Sequence, residues 1–246
     1  MSNPFHQRES LDRPIDVPQL TAEEILARVL HRDGLMLVID KPAGLPVHRG
    51  PKGGPNLEAS FDALRFGLPR PPVLAHRLDK DTSGCLVLGR HRKATASLGL
   101  LFKHGKISKT YWAIVEGGPA EDEGTIDMPL GRLNAERGWW QKVDPEGQQA
   151  VTNWKVMGRG EGLTWLALEP VTGRTHQLRV HSSAQGWPIF GDNIYGNGPR
   201  FGEPRLHLHS REIGIPISKN KEPVRVVAPA PKHMRERLRA CGWNGE

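Results

Sequence analysis

Glycine and proline are spread so densely along this chain, 28 and 21 of its 246 residues, that few helices can be long. Glycine weakens a helix and proline interrupts its hydrogen-bond ladder, whereas both suit tight turns. Strands joined by turns are therefore expected to dominate. Thr21-Ala22-Glu23-Glu24 reads as a capping box, with Ile25, Leu26, Val29 and Leu30 following at helical spacing. Strands are predicted at Leu35–Ile39 and Cys85–Leu88, a short helix at Leu57–Phe66, and a longer one at Lys93–His104 that stops at Gly105. From Lys106 the period drops to two, as Tyr111, Ala113 and Val115 alternate with Thr110, Trp112 and Ile114. Further strands are predicted at Ala150–Val156, Leu163–Glu169, Leu206–Ile213 and Val224–Val227. Helices are predicted at Thr175–Gln185 and Pro231–Ala240. The pattern is that of an α+β chain with a largely antiparallel sheet and flanking helices.

A chain of this length can bury a sizeable core. Residues 1–20 are polar and proline-dotted and read as a flexible arm, with residues 21–246 as a single domain. No signal-peptide core or bilayer-length apolar run occurs, so a cytoplasmic protein is expected. Cys85 and Cys241 are too few for a disulfide framework, and Cys85 falls in an apolar run as a small hydrophobe. The net charge is +7; a basic surface favours phosphate polyanions.

Two polar segments carry the chemistry. His76-Arg77-Leu78-Asp79-Lys80-Asp81-Thr82-Ser83-Gly84 places a carboxylate beside an arginine, ahead of a turn that enters an apolar strand. Such a loop holds a charged group at a sheet rim, where sites are commonly built. Gly173-Arg174-Thr175-His176-Gln177-Leu178-Arg179-Val180-His181 reads as a strand–turn–helix unit with Thr175 as N-cap, and at helical spacing His176 and Arg179 share a face while Leu178 lies on another flank. If Arg179 faces Asp79, the pair keeps that carboxylate ionised and oriented. Tyr111 is either a core residue or an aromatic wall for a flat base. Gly191-Asp192-Asn193-Ile194-Tyr195-Gly196 reads as a structural turn. The pairs His207/His209 and His176/His181 lack a companion carboxylate or thiolate set at ligand spacing, so no metal is expected.

Together these segments resemble the RluA-type RNA pseudouridine synthases. Val38-Ile39-Asp40-Lys41-Pro42-Ala43-Gly44 is similar to the family's first strand and Lys-Pro-x-Gly turn, and His76-Arg77-Leu78-Asp79 with Thr82-Ser83-Gly84 to its catalytic motif. Lys109-x-Tyr111-x-Ala113-x-Val115-x-Gly117 matches its tyrosine strand, Gly173–His181 its arginine segment, and Gly191-Asp192 with Tyr195-Gly196 adds a fifth match. The resemblance spans residues 31 to 228 and is closest to members without a separate N-terminal RNA-binding domain. It implies isomerisation of uridine to pseudouridine in tRNA or rRNA, with Asp79 essential. Asp79 would act either as nucleophile at C1′ or as base on the ribose 2′-hydrogen. Arg179 would be its ionic partner, and Tyr111 would pack on the uracil and help remove the C5 proton. Leu178 would line the opposite wall. Arg77, His76, Arg174 and His176 would bind substrate. The redox-neutral reaction needs no cofactor or metal, and the protein would act as a monomer on RNA, away from membranes. Two rivals differ in class. A non-catalytic RNA-binding or ribosome-assembly protein would not need Asp79, Tyr111 and Arg179 together. A nucleoside hydrolase would show a second carboxylate or a calcium-binding aspartate run.

Overall fold

A computed structural model describes residues 17–50, 53–134, 139–218 and 220–245. Of the expected N-terminal arm, residues 1–16 lie outside the described residues. Its last residues are anchored: Val17 and Leu20 pack on the core, and the Gln19 amide donates to Asn56 O (2.9 Å) and Ser60 Oγ (2.7 Å).

Two half-sheets, each covered on both faces, explain why the strand sequences read as nearly unbroken apolar runs. In the first half, β2 (Met36–Lys41) pairs with β4 (Ser83–Gly89). Leu37, Ile39, Leu86 and Leu88 join Phe61 and Leu64 of a 3-10 segment, Glu58–Leu64, on one side. Met36, Val38, Cys85 and Val87 meet Leu98 of α2 (Arg92–Lys103) on the other. The second half contains β5 (Ser108–Glu116), β6 (Glu123–Asp127), β9 (Val151–Gly160) and β10 (Leu163–Pro170). Ala113, Val115, Leu166 and Leu168 face Leu178 of α3 (Gln177–Ala184), while Trp112, Ile114 and Trp165 face Met234 and Leu238 of α4 (Lys232–Ala240).

β11 (Leu208–Ile215) lies between β4 and β5 and joins the halves, in the order β1-β2-β4-β11-β5-β10-β9-β6 with β1 at Val29–Arg32. Among the described residues the β4–β11 pairing is parallel and the others are antiparallel, including β12 (Val224–Val227) on β11 and β3 (Val73–Leu74) on β4. The architecture is the expected α+β one with a largely antiparallel sheet. A separate ribbon pairs β7 (Leu130–Arg132) with β8 (Gln141–Val143).

The first helix is shorter than its apolar spacing predicts. α1 (Ala22–Leu26) begins with the capping box at Thr21, but Val29 and Leu30 belong to β1, with Val29 opposite Ile39. The edge of a buried strand offers these residues more contacts than another helical turn. Tyr111 packs against the clusters of both halves, so the seam between them runs past its ring.

Candidate active site

The loop carrying Asp79 is fixed from below by groups that have almost no freedom. The Lys41 ammonium, fully buried at the end of β2, donates to the carbonyls of Pro42 (2.9 Å), Lys80 (2.8 Å) and Thr82 (2.8 Å). Burial draws its pKa down to about 7, against the charges of Asp81 and Asp79. Ser83 Oγ and His209 Nδ1 are hydrogen-bonded at 2.8 Å. Gly84 has φ +103°, and a Cβ there would sit 2.2 Å from Ser210 O, so no other residue fits where β4 meets β11. His76 accepts the Val87 N–H at Nε2 (3.0 Å) and stacks on Phe102 with centroids 4.2 Å apart. Burial depresses its pKa to about 3, which suits an acceptor ring.

The opposite wall is the start of α3. Thr175 is not its cap: the helix begins at Gln177, and His176 stands before it in the left-handed region at φ 55°. Such a backbone costs on the order of 1–3 kcal/mol and persists only where its surroundings impose it. Here Gln177 does so. Its side-chain oxygen accepts from Arg174 N (3.0 Å) and Thr172 Oγ1 (2.7 Å), and its amide donates to Val151 O and Thr152 Oγ1 (both 2.9 Å). This places His176 Nε2 3.7 Å, and Arg179 Nη1 4.0 Å, from Asp79 Oδ2. His176 Nδ1 lies 2.7 Å from the Tyr195 hydroxyl, which accepts the Gln141 N–H at 2.9 Å. Burial lowers the His176 pKa, with Asp79 opposing the shift.

Arg179 does face Asp79, but its closest partner is another carboxylate. Nε and Nη2 donate to Asp192 Oδ2 (2.8 Å) and Oδ1 (2.7 Å) in a buried two-pronged pair. Asp192 Oδ1 also accepts from Ile194 N (2.9 Å) and Tyr195 N (3.0 Å). Burial opposes both charges, yet their mutual bonds raise the Arg179 pKa and lower that of Asp192. The turn that reads as structural in sequence is thus the clamp that aims Arg179.

Asp79, about a third exposed, looks into a cleft of about 500 Å³ between the two walls. All eight residues singled out from sequence line it: Asp79, Tyr111, Arg179, His76, Arg77, Leu178, Arg174 and His176. Leu178 therefore shares the cleft with His176 and Arg179 rather than lying on a separate flank. Arg174 is partly engaged, its Nε donating to Gln149 O at 2.9 Å. Burial raises the Tyr111 pKa, so the phenol stays neutral and serves better as a wall than as a base. Sequence reasoning passed over Phe102, Lys103 and Lys109 as lining residues; Lys109 alone stood inside a motif it used. The tempting histidine pairs have other tasks. His207 Nδ1 meets Arg205 O at 2.7 Å, His209 holds Ser83, and His181 lies 3.0 Å from both Thr152 Oγ1 and Met128 O. Cys85 and Cys241 are buried thiols.

Chemically, the cleft offers one carboxylate, held beside a buried guanidinium and a ring nitrogen, between walls that include Tyr111, Leu178 and Leu208. Its rim is basic. That combination suits a flat base carried on an anionic backbone. Residues 35–184 match the family described as RNA pseudouridylate synthase, and the chain belongs to that family: it is an RNA pseudouridine synthase, an isomerase. It is 44% identical over 207 residues to an uncharacterized RNA pseudouridine synthase of Zymomonas mobilis, covering 83% of this chain and 94% of the relative. It is 34% identical over 243 residues to another of Synechocystis, covering 91% and 73%. The fold is similar to human RNA pseudouridylate synthase domain containing 4, with TM-score 0.74 and 29% identity over 89% of this chain and 95% of that one.

Proposed function

We propose that the cleft receives a single uridine of a structured tRNA or rRNA, turned out of its stack, and that Asp79 performs the essential step on its sugar. Turning the base out costs a few kcal/mol, less in a loop or bulge. The C1′–N1 bond then breaks, the uracil rotates within the pocket, and C1′ is rejoined to C5. The C5 proton is lost and N1 gains one, so the reaction is an isomerisation with no net redox change and no need of a cofactor. Asp79 acts either by attacking C1′ or by removing the 2′-hydrogen. Arg179, aimed by Asp192, keeps a cation beside that carboxylate. Tyr111 and Leu178 hold the uracil between them. Arg77, exposed on the rim, and Arg174 contact phosphate or fill the gap left by the base, while His176 faces the sugar beside Asp79 and His76 shapes the pocket floor. The protein acts as a monomer in the cytoplasm, with residues from 21 onward as one catalytic unit.

The observation that carries this reading is that Asp79 is the sole carboxylate among the described residues lining the cleft. Hydrolysis of a sugar bond usually requires two carboxylates, one to protonate the leaving group and one to act on the other face. A uracil that stays in the pocket and is reused needs no such departing proton. An RNA-binding protein without chemistry has no use for a carboxylate set in a basic cleft, where it repels phosphate. The test is to incubate the protein with unmodified tRNA and rRNA transcripts and analyse the nucleosides by chromatography. Pseudouridine at a defined position is expected; its absence from every transcript would contradict the proposal.

A further inference from the structure

Between Asp81 and Glu116 the chain has no acidic residue, yet it carries Arg90, Arg92, Lys93, Lys103, Lys106 and Lys109. Most of the net charge of +7 thus arises in one segment, folded as β4, α2 and β5. Helix α2 is its outermost part. It buries Ala94 and Leu98 and exposes Arg92, Lys93, Ala96, Ser97, Leu100 and Lys103. Its C-terminal end, Phe102 and Lys103, forms part of the cleft rim. Its N-terminal end, Arg92, Thr95 and Ala96, borders a second groove of about 760 Å³ with Arg70 and Pro71 on the far bank. One helix of 12 residues, about 18 Å long, therefore joins the basic rim of the cleft to a largely apolar groove bordered by Arg70, Arg90 and Arg92.

Several cations elsewhere in the protein are neutralised locally. Arg28, Arg65, Arg159, Arg205, Arg225 and Arg237 each lie in an ion pair. Among the described residues, Arg92, Lys93, Lys103 and Lys106 make none, although Lys93 and Arg92 begin a helix, where the macrodipole disfavours positive charge. Between the charged ends the exposed positions are Ala96, Ser97 and Leu100; the first two are small enough for a sugar–phosphate backbone to approach, and Ser97 has a hydroxyl to donate to it.

We propose that the outer face of α2 is a docking ridge for the RNA backbone flanking the target uridine. The inference rests on the function proposed above. A nucleotide in the cleft remains covalently joined to its neighbours, so its chain must leave over the rim. Lys103 receives it there, and α2 carries it toward Arg92, Lys93 and the second groove. The ridge contributes through phosphates, so it adds affinity for extended RNA without altering the chemical step.

The test compares the wild-type protein with the double variant Arg92→Gln/Lys93→Gln, both residues standing well away from Asp79. Equilibrium binding to a folded tRNA transcript and to a uridine-containing trinucleotide is measured across a salt series, with thermal unfolding as a check on folding. The double variant should bind the transcript about tenfold more weakly near 0.1 M salt, with the slope of log affinity against log salt reduced by about 2. Trinucleotide binding and the unfolding midpoint should stay unchanged. Where pseudouridine forms, KM for the transcript should rise while kcat holds. Unchanged transcript affinity and slope would overturn the ridge and leave the face to some other anionic partner. Equal losses for transcript and trinucleotide would also overturn it. Wild-type protein that binds transcript more tightly and with a steeper salt slope than the double variant but forms no pseudouridine would contradict the proposed reaction, not the ridge.

Discussion

Asp192, a turn residue on sequence grounds, controls the position of Arg179 more directly than Asp79 does. Its oxygens lie 2.7 and 2.8 Å from the guanidinium, against 4.0 Å for Asp79. The chain thus separates two tasks that a simple ion pair would merge: Asp192 holds the cation, while Asp79 stays about a third exposed to the cleft. Asp192→Asn keeps the shape and the Oδ1 acceptor but removes the compensating charge from a buried guanidinium and turns an amide N–H toward Arg179 Nε in place of the accepting Oδ2. The expected cost is about 3–5 kcal/mol of stability, read by denaturant unfolding. kcat should also fall, because Arg179 is then drawn toward Asp79 and screens it. A variant with wild-type stability and kcat would show that the clamp does nothing. His176 depends on the same turn through the Tyr195 hydroxyl, 2.7 Å from Nδ1, so one loop orients both groups facing Asp79.

At the scale of elements, the loop carrying Asp79 is held in place because β4 leaves it through Gly84 and because neutral histidines support it. His209 is held near pKa 3 and His76 near 3, both by burial, against an ordinary 6.5. The unfolded chain takes up these protons as pH falls below about 6.5, whereas the folded chain refuses them until about 3. Stability is therefore intact above that window and is lost progressively as pH falls through it. Urea midpoints measured between pH 7 and 4 should decline, and His209→Gln should flatten the decline; a flat wild-type profile would contradict this. Elements with a clear period or a long apolar run were legible in the sequence. Cys85–Leu88 lies within β4, Lys93–His104 overlaps α2, and Val224–Val227 is β12 with the same bounds. Short polar strands were not: β6, with its exposed Glu123 and Thr125, owes its form to the distant β9, and the strands of the ribbon β7–β8, 3 residues each, are too short to show a period. Val29 and Leu30 misled because helical spacing over a few residues does not exclude a strand. Likewise Thr175 has the chemistry of a cap, but Gln177 takes over the local hydrogen bonds and moves the helix start by two residues.

Across the whole molecule, charge is sorted by function. The basic C-terminal helix α4, a natural candidate for RNA contact on its composition, engages its three arginines within the protein and leaves Lys232 exposed. Arg237 pairs with Glu236 and lies over Phe190, Arg239 lies over Trp243, and Arg235 donates to Ala230 O. Its apolar face is core, with Met234 and Leu238 fully buried against β5 and β10. Leu238→Ala should cost about 2–5 kcal/mol while the salt dependence of RNA binding stays as in wild type. A flattened salt dependence without loss of stability would reverse that assignment. None of the described helices is long and apolar enough to cross a membrane. The site itself was legible because its motifs are contiguous: Asp79, Tyr111, Arg179 and their five companions come from three short segments that the sheet brings to one cleft. Phe102 and Lys103 escaped notice because only the packing of α2 carries them to the rim. On the function proposed above, Asp79 does the chemistry and the rest of the cleft holds RNA around it. The most direct measurement is single-turnover pseudouridine formation by wild type and Asp79→Asn, at protein concentrations that saturate the same transcript. No product is expected from the variant over many wild-type half-lives, with transcript affinity equal or tighter because a negative charge has left a basic cleft. Product formation by Asp79→Asn at an appreciable fraction of the wild-type rate would contradict that assignment.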